Sequence, residues 1–225
     1  MVKKSIEYSD ISWNPFSGCL ALDCAVRNQR ACWAEKMANR QRGQNGYDRE
    51  NPFRPTFHPD KLRQPYHWKK PRRIATCFMG DFAFAQLEVQ KAILEVANMT
   101  QRHRYYFLTK QPHLIRHLVF PANSWLGVTV NCQKDLWRID ELSVINAKVK
   151  FGSFEPLYAE LTLDDLLHYL DWVIIGAQTN PPVQPKRVWI ENILDAAEDL
   201  GIPVFMKDNL QFQPKLLEFP LGLEA

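Results

Sequence analysis

The 225-residue chain is 46% hydrophobic and 24% charged, ordinary globular usage that excludes an intrinsically disordered chain and a disulfide scaffold. Its length suits one large domain, and no apolar run approaches the roughly 20 residues that a membrane-spanning helix requires. A net charge of +3 is too small to imply nucleic-acid binding unless cations cluster locally.

The opening residues, Met1-Val2-Lys3-Lys4-Ser5-Ile6-Glu7, carry two lysines with no apolar stretch behind them, so no secretory signal is expected. Five cysteines, an odd number, point to reduced thiols and a cytoplasmic location. A first strand is predicted around Ile6 to Trp13. It leads through Asn14-Pro15-Phe16-Ser17-Gly18 into Cys19, Cys24 and Cys32, which fall within 14 residues. This cysteine loop, residues 14–33, runs into a helix-like segment from Trp33 to Arg40.

Residues 41–72 form a long polar, proline-rich segment. Loops of that length inside a compact domain are usually functional or disordered, so it is expected to flank the site. At its end Pro65-Tyr66-His67-Trp68-Lys69-Lys70-Pro71-Arg72-Arg73 interleaves aromatics with four cations. Lys69, Lys70, Arg72 and Arg73 could neutralise phosphates while an aromatic stacks a base; the plainer alternative is a solvated loop.

From residue 73 onward short apolar runs alternate with amphipathic stretches. The runs Arg73–Met79, Tyr105–Thr109, Trp125–Val130, Val149–Phe154, Trp172–Gly176 and Pro203–Met206 predict buried strands, being short, rich in β-branched and aromatic residues, and bounded by breakers. Leu87, Ile93, Leu94 and Ala97 mark one face of a helix within Gln86 to Arg102; Val188, Ile193, Leu194 and Ala197 mark another before a stop at Gly201. Thr162-Leu163-Asp164-Asp165 resembles a capping box with Asp in place of Glu.

Alternating strand and helix implies parallel strands with right-handed crossovers. No G-x-G-x-x-G follows a strand, so a dinucleotide-binding sheet has no support. About seven strands are too few for a complete eight-fold barrel. The prediction is therefore an α/β fold, a partial (β/α) TIM-like barrel of about six to seven parallel strands. With no internal repeat or linker, residues 1–225 read as a single domain.

The C-terminal ends of parallel strands open on one face, where α/β barrels build their ligand sites. In order those ends present Gly80-Asp81, Thr109-Lys110-Gln111, Thr129 and Asn131, Glu155-Pro156, Gln178-Thr179-Asn180, and Lys207-Asp208-Asn209. Singly, each has a structural explanation: Asp81 as an N-cap, Lys207 and Asp208 as a surface pair. Together they suggest a polar mouth facing the cysteine loop. Lys110, Glu155 and Lys207 are the candidates for substrate contact or proton transfer.

Three chemistries suit the cysteines. A zinc site would need His58 or His67 as its fourth ligand, and the spacings of four and seven intervening residues match no common paired-cysteine pattern. A nucleophilic cysteine is possible, although nothing favours one thiol over the others. A [4Fe-4S] cluster on three thiolates would leave one iron open, and the missing fourth ligand favours it. Cys77 and Cys132, isolated in apolar surroundings, read as core.

Several motifs occur in order: Ser12-Trp13-Asn14-Pro15-Phe16-Ser17-Gly18-Cys19, Cys32-Trp33-Ala34-Glu35, Met79-Gly80-Asp81, Phe107-Leu108-Thr109-Lys110, Trp125-Leu126-Gly127-Val128-Thr129-Val130, Ser153-Phe154-Glu155-Pro156-Leu157 and Trp172-Val173-Ile174-Ile175-Gly176-Ala177-Gln178. Together they resemble the phage-type three-Cys-motif family of unknown function, itself similar to radical S-adenosylmethionine (SAM) enzymes. The resemblance implies a partial barrel in which Cys19, Cys24 and Cys32 hold a [4Fe-4S] cluster and SAM chelates its open iron. It implies SAM contacts from Met79, Gly80 and Asp81, with Asn131 and Gln178 as further candidates. An external electron donor such as a ferredoxin or flavodoxin would then allow reductive cleavage to a 5′-deoxyadenosyl radical acting on an unknown substrate, nucleic acid or nucleotide being one option. The spacing departs from the usual C-x3-C-x2-C of radical SAM enzymes: here it is C-x4-C-x7-C. The rival expectation is a nucleic-acid-binding or structural protein with a zinc or degenerate cluster site.

Overall fold

The computed structural model describes residues 6–21, 23–163 and 165–220. Seven strands form one sheet: β1 (Ile11–Trp13), β2 (Arg73–Thr76), β3 (Arg104–Thr109), β4 (Ser124–Thr129), β5 (Val149–Phe154), β6 (Trp172–Ile175) and β7 (Val204–Met206). Each pairs in parallel with the next in the chain. A strand order that never reverses is the winding of a barrel; a doubly wound sheet reverses at a switch point.

The sheet is curled into a half-barrel. Tyr106 on β3 and Trp172 on β6 have ring centroids 6.0 Å apart, although three inter-strand steps of ~4.8 Å would separate them by about 14 Å in a flat sheet. The period of two along each strand sorts the side chains. Ile74, Tyr105, Phe107, Leu126, Val128, Val173 and Ile175 pack outward with the helices, while Tyr106, Trp125, Phe151, Trp172, Ile174 and Phe205 pack inward with Ile6 and Tyr8. Tyr8 meets the Trp172 ring edge-on at 5.5 Å, so the N-terminal segment fills the bore. Only from Ile11 does that segment join the sheet, later than the predicted Ile6.

The edge of β7 is met by the C-terminal segment rather than by β1. Glu218 N–H donates to the Val204 carbonyl (3.0 Å) and Met206 N–H to that of Leu216 (2.8 Å), which shields an otherwise open edge.

The helices are α1 (Ala25–Asn28), α2 (Trp33–Arg40), α3 (Leu87–Met99), α4 (Trp137–Ser143) and α5 (Arg187–Asp199), with single turns at Pro59–Leu62 and Gln64–His67. Ile93, Leu94 and Ala97 are buried on α3 as the periodicity requires, but Leu87 starts the helix and is exposed. On α5, Ile190, Ile193 and Ala197 are buried, while Val188 is exposed and Leu194 only partly buried. Both misplaced residues lie in a first helical turn, before the helix has settled onto the sheet. The stop at Gly201 holds: its N–H reaches the Glu198 carbonyl (3.0 Å) and that of Ile202 the Ala197 carbonyl (2.8 Å), the paired bonds of a Schellman ending. The predicted capping box includes Asp164, outside the described residues; Asp165 precedes a 3-10 turn over Leu166–Tyr169 without a side-chain cap. Among the described residues no helix is long and apolar enough to cross a membrane.

Candidate active site

A cavity of about 480 Å³ lies at the C-terminal ends of the strands. It gathers Cys19, Cys24 and Cys32 with Gly80, Asp81, Lys110, Glu155, Gln178 and Lys207. Met79 and Asn131 are not part of its lining.

The cysteine loop is attached backbone to backbone. Phe16 and Ser17 pair antiparallel with Phe57 and Thr56, and Cys19 N–H donates to the Phe53 carbonyl (3.1 Å). Gly18 N–H donates to the Met79 carbonyl and Asp81 N–H to the Gly18 carbonyl, both at 3.0 Å. The seven residues between Cys24 and Cys32 fold back on themselves. They make the single turn α1 and a left-handed residue, Arg30 (φ 53°), closed by Ala31 N–H to the Val26 carbonyl (2.9 Å). Arg27 then clamps the turn with bonds of 3.3 and 3.0 Å to the two oxygens of Glu35 on α2 and of 3.0 Å to the Ala21 carbonyl. Cys24 and Cys32 thus stand immediately before α1 and α2. The long spacing is accommodated by one helical turn.

Burial pushes the Cys19 thiol up to about 12, with the Asp81 charge adding to it and Lys110 opposing. Burial also raises Cys32, against the pull of the Glu35 backbone amide and Lys110. These are protonated thiols that need a metal or a strong base to become thiolates. Among the described residues no three His, Cys, Asp or Glu side chains are grouped so as to hold a single metal ion.

Neither histidine proposed as a fourth zinc ligand reaches the cavity. His58 is buried and bonded to Ser17 Oγ (2.8 Å), and His67 ends an exposed turn. The donor set is therefore three thiols beside a cavity. Soft thiolates suit zinc or iron–sulfur centres, and the space beside them admits a group larger than one ion. Three thiols with that space beside them are the donors and the room that an iron–sulfur cluster would use.

Asp81 is committed. Its Oδ1 accepts from Ala83 N–H (3.1 Å) and Thr109 Oγ1 (2.7 Å), and its Oδ2 from Lys110 N–H (2.8 Å). It caps the 3-10 turn Phe82–Phe84 and ties the end of β3 to that of β2. One lone-pair position of about four remains for a ligand. Gln178 is bonded at both ends: Tyr158 Oη donates to its Oε1, and its Nε2 donates to the Pro181 carbonyl (2.8 Å), which leaves one acceptor and one donor position. These bonds brace the Gln178–Thr179 and Pro182–Val183 ladder. Asn131 is fully buried, donating from Nδ2 to the Pro156 carbonyl (2.7 Å), so it supports the wall from behind. Met79 uses its backbone, with N–H on Asn14 Oδ1 (3.0 Å), and packs, as Cys19 and Cys32 do, against the cluster of Ala34, Ala38, Tyr47 and Phe53. Asn131 and Met79, expected to contact a ligand, thus stand outside the cavity lining.

Lys207 and Glu155 form an ion pair, with side chains 12% and 19% exposed. Burial lowers the Lys207 pKa, but the charges of Glu155, Glu7 and Asp208 outweigh it and the net shift is upward. Glu7 was not predicted. Its Oε2 accepts from Asp208 N–H (2.5 Å) and burial raises its pKa. Nothing in the sequence separates Glu7 from an ordinary surface acid; only the insertion of Ile6 and Tyr8 into the bore brings it here. Lys110 Nζ donates to Thr129 Oγ1 (3.3 Å) and has no carboxylate partner among the described residues.

The long segment 41–72 divides. Its first part flanks the cysteines, with Phe53 lining the cavity, while residues 65–73 precede β2 and lie at the opposite end of the strands. There Arg73 pairs with Asp10 (3.2 Å) and stacks over Phe219 at 5.2 Å, which removes it from the proposed phosphate-binding set; Lys69, Lys70 and Arg72 are exposed. Of the two isolated cysteines, Cys77 is core, but Cys132 is only partly buried, with Sγ 3.6 Å from Asp135 Oδ2.

Residues 3–218 match the family described as "Protein of unknown function (DUF5131)", to which the chain belongs. No curated protein matches it. No solved structure matches it either.

Proposed function

We propose that this chain is a cytoplasmic radical-SAM-type enzyme, in which Cys19, Cys24 and Cys32 hold a [4Fe-4S] cluster and Gly80 and Asp81 receive the amino group of SAM. The observation that carries this reading is the delivery of three cysteines, with no fourth cysteine or histidine in the lining among the described residues, to one cavity at the C-terminal mouth of a consecutively wound parallel half-barrel. Such a cluster, when bound and reduced by a donor such as a ferredoxin or flavodoxin, supplies the electron that cleaves SAM to methionine and a 5′-deoxyadenosyl radical.

The chain's own residues do the rest. Lys110 and Arg27 lie close enough to influence the thiols, and their charges offset those of the thiolates. Asp81 fixes the end of β3 and thereby the backbone from which Lys110 projects. The aromatic plug of Tyr8, Tyr106, Trp125 and Trp172 closes the bore below the cavity and keeps bulk water from a reactive intermediate. Glu155 and Lys207 hold a proton at Nζ on the far wall, available to a substrate group that gains or loses charge.

Anaerobic reconstitution with iron and sulfide tests the proposal. About four irons per chain, a reducible cluster, and 5′-deoxyadenosine formed from SAM under reduction support it, with each Cys→Ala variant losing both iron and product. A colourless protein holding about one zinc sinks it in favour of a zinc-containing binding protein.

A further inference from the structure

The cavity mouth carries a pattern that neither the cluster nor SAM uses. Trp33, Lys36, Met37 and Arg40 all line the cavity. They recur at the three- and four-residue spacing of one helical face, and beside that stripe Ala34 and Ala38 are buried with Tyr47 and Phe53. Trp33 is 49% exposed, an unusual position for so large an apolar side chain.

Lys36 and Arg40 stand at i,i+4, where like charges destabilise a helix. A solvated basic face normally places acids at that spacing, yet the positions three and four away are Cys32, Trp33, Asn39, Gly43 and Gln44 besides Met37 and each other. Lys36 Nζ reaches only the Asn180 carbonyl (3.4 Å) and Arg40 Nη1 only Met37 Sδ (3.5 Å). Neither forms an ion pair among the described residues. Among the described residues the lining holds five cations, Arg27, Lys36, Arg40, Lys110 and Lys207, against the carboxylates Asp81 and Glu155. Since Lys207 is paired to Glu155 and Arg27 to Glu35, the surplus positive charge sits on α2 and Lys110.

We infer that this face of α2 is a substrate subsite for a nucleotide unit, with Lys36 and Arg40 on its phosphate and Trp33 against its base. Paired cations beside an exposed aromatic are the elements by which proteins hold single-stranded nucleic acid without reading its sequence. The inference moves nucleotide contact from residues 69–73, at the far end of the strands, to the cavity mouth. It rests on the radical-SAM reading for the reaction, whereas the binding is measured without iron or SAM.

Fluorescence anisotropy of a labelled short single-stranded oligonucleotide on the purified metal-free chain tests it, with a nucleoside monophosphate and its nucleoside as competitors. The double variant Lys36→Gln/Arg40→Gln should bind about tenfold more weakly and flatten the slope of log K against log salt by about 0.7, the value for one phosphate of a single strand. Trp33→Ala should weaken binding about tenfold with the slope unchanged. Lys69→Gln/Lys70→Gln should change neither. Stronger competition by monophosphate than by nucleoside supports the subsite, and how far the oligonucleotide outbinds the monophosphate tells a strand from a free nucleotide. Absence of binding, a nucleoside competing as well as its monophosphate, or loss through Lys69 and Lys70 rather than Lys36 and Arg40 would overturn it. A chain that cleaves SAM yet binds no nucleotide sinks only this inference; one that binds nucleotide but holds no iron sinks only the enzyme proposal.

Discussion

Gly80 stands directly against Gly18: a Cβ at residue 80 would fall 2.1 Å from the Gly18 carbonyl oxygen, and the two residues form a parallel bridge. This contact joins the cysteine loop to the segment after β2, so Cys19 and Asp81 are placed relative to each other by backbone alone. Backbone atoms cannot step aside as a flexible side chain can. Gly80→Ala should therefore destabilise the fold by about 1–3 kcal/mol. Gly18→Ala should cost more, because its φ of +91° is unsuited to a side chain and its Cβ would meet the Arg54 carbonyl at 2.1 Å. Thermal unfolding of both variants, with iron content after reconstitution, checks this. Wild-type stability and iron binding in Gly80→Ala would show that the loop is not held here.

The Arg27–Glu35 pair holds the turn between Cys24 and Cys32. Its side chains are 27% and 33% exposed, so solvent screening keeps the stability effect of Arg27→Ala to roughly 1 kcal/mol or less. The effect on metal loading should be larger, since the clamp fixes the path between two of the proposed ligands, Cys24 and Cys32. Iron per chain should fall in Arg27→Ala and in Glu35→Ala, and the double variant should lose no more than either single one. Additive losses would mean that the two residues act separately.

Much of this architecture was legible in the sequence. The sheet runs are short and rich in β-branched and aromatic residues, and six of the seven observed strands match the predicted runs to within a few residues. Helix α2 begins and ends where its sequence suggests. The site was legible only as an end of strands. Sequence position told that Asp81, Asn131 and Gln178 follow strands, but not that Asp81 caps a turn, that Asn131 faces Pro156, or that Gln178 is bonded at both ends. Such commitments depend on which neighbour a polar group meets, and local pattern carries no record of that. Helix α4, seven residues beginning at Trp137, was missed because so short a stretch shows barely two turns of periodicity. Glu7 was missed because its neighbours Ile6 and Tyr8 enter the bore through contacts distant in sequence.

The thiols give a pH signature for the metal-free chain. Cys19 is pushed up from an ordinary value of 9.0 to about 12, by burial first and the Asp81 charge second, and burial raises Cys32 in the same direction. A raised folded-state pKa contributes stability that is complete below the unfolded value and is lost as pH rises through the folded one. Stability of the metal-free chain should therefore decline from about pH 9 toward pH 12, and alkylation of Cys19 should be slow at neutral pH. Lys110→Gln removes a charge that favours both thiolates, so alkylation should slow further at a given pH. Mass-spectrometric labelling across the alkaline range measures this; faster labelling in Lys110→Gln contradicts the assigned electrostatics.

Glu155 and Glu7 compete for a single ammonium, that of Lys207. Glu155 makes the ion pair, whereas Glu7 is fixed by the Asp208 backbone and reaches Lys207 only through its charge. Removing Glu155 leaves a largely buried ammonium with only the indirect counter-charges of Glu7 and Asp208, and breaking a buried pair costs about 3–5 kcal/mol. For Glu7 the sign is reversed. Burial raises its pKa above 4.5, so its contribution is complete below pH 4.5 and is lost as pH rises, which makes its charge a net burden at neutral pH. Glu7→Gln keeps an acceptor for Asp208 N–H and should be neutral or stabilising by less than ~1 kcal/mol. Glu155→Gln should be markedly destabilised, and Glu155→Leu/Lys207→Met should regain most of that loss by removing both charges together. Denaturant unfolding at pH 7 ranks the three variants. Equal losses in Glu7→Gln and Glu155→Gln would show instead that Glu7 supports the Lys207 charge as strongly as Glu155 does.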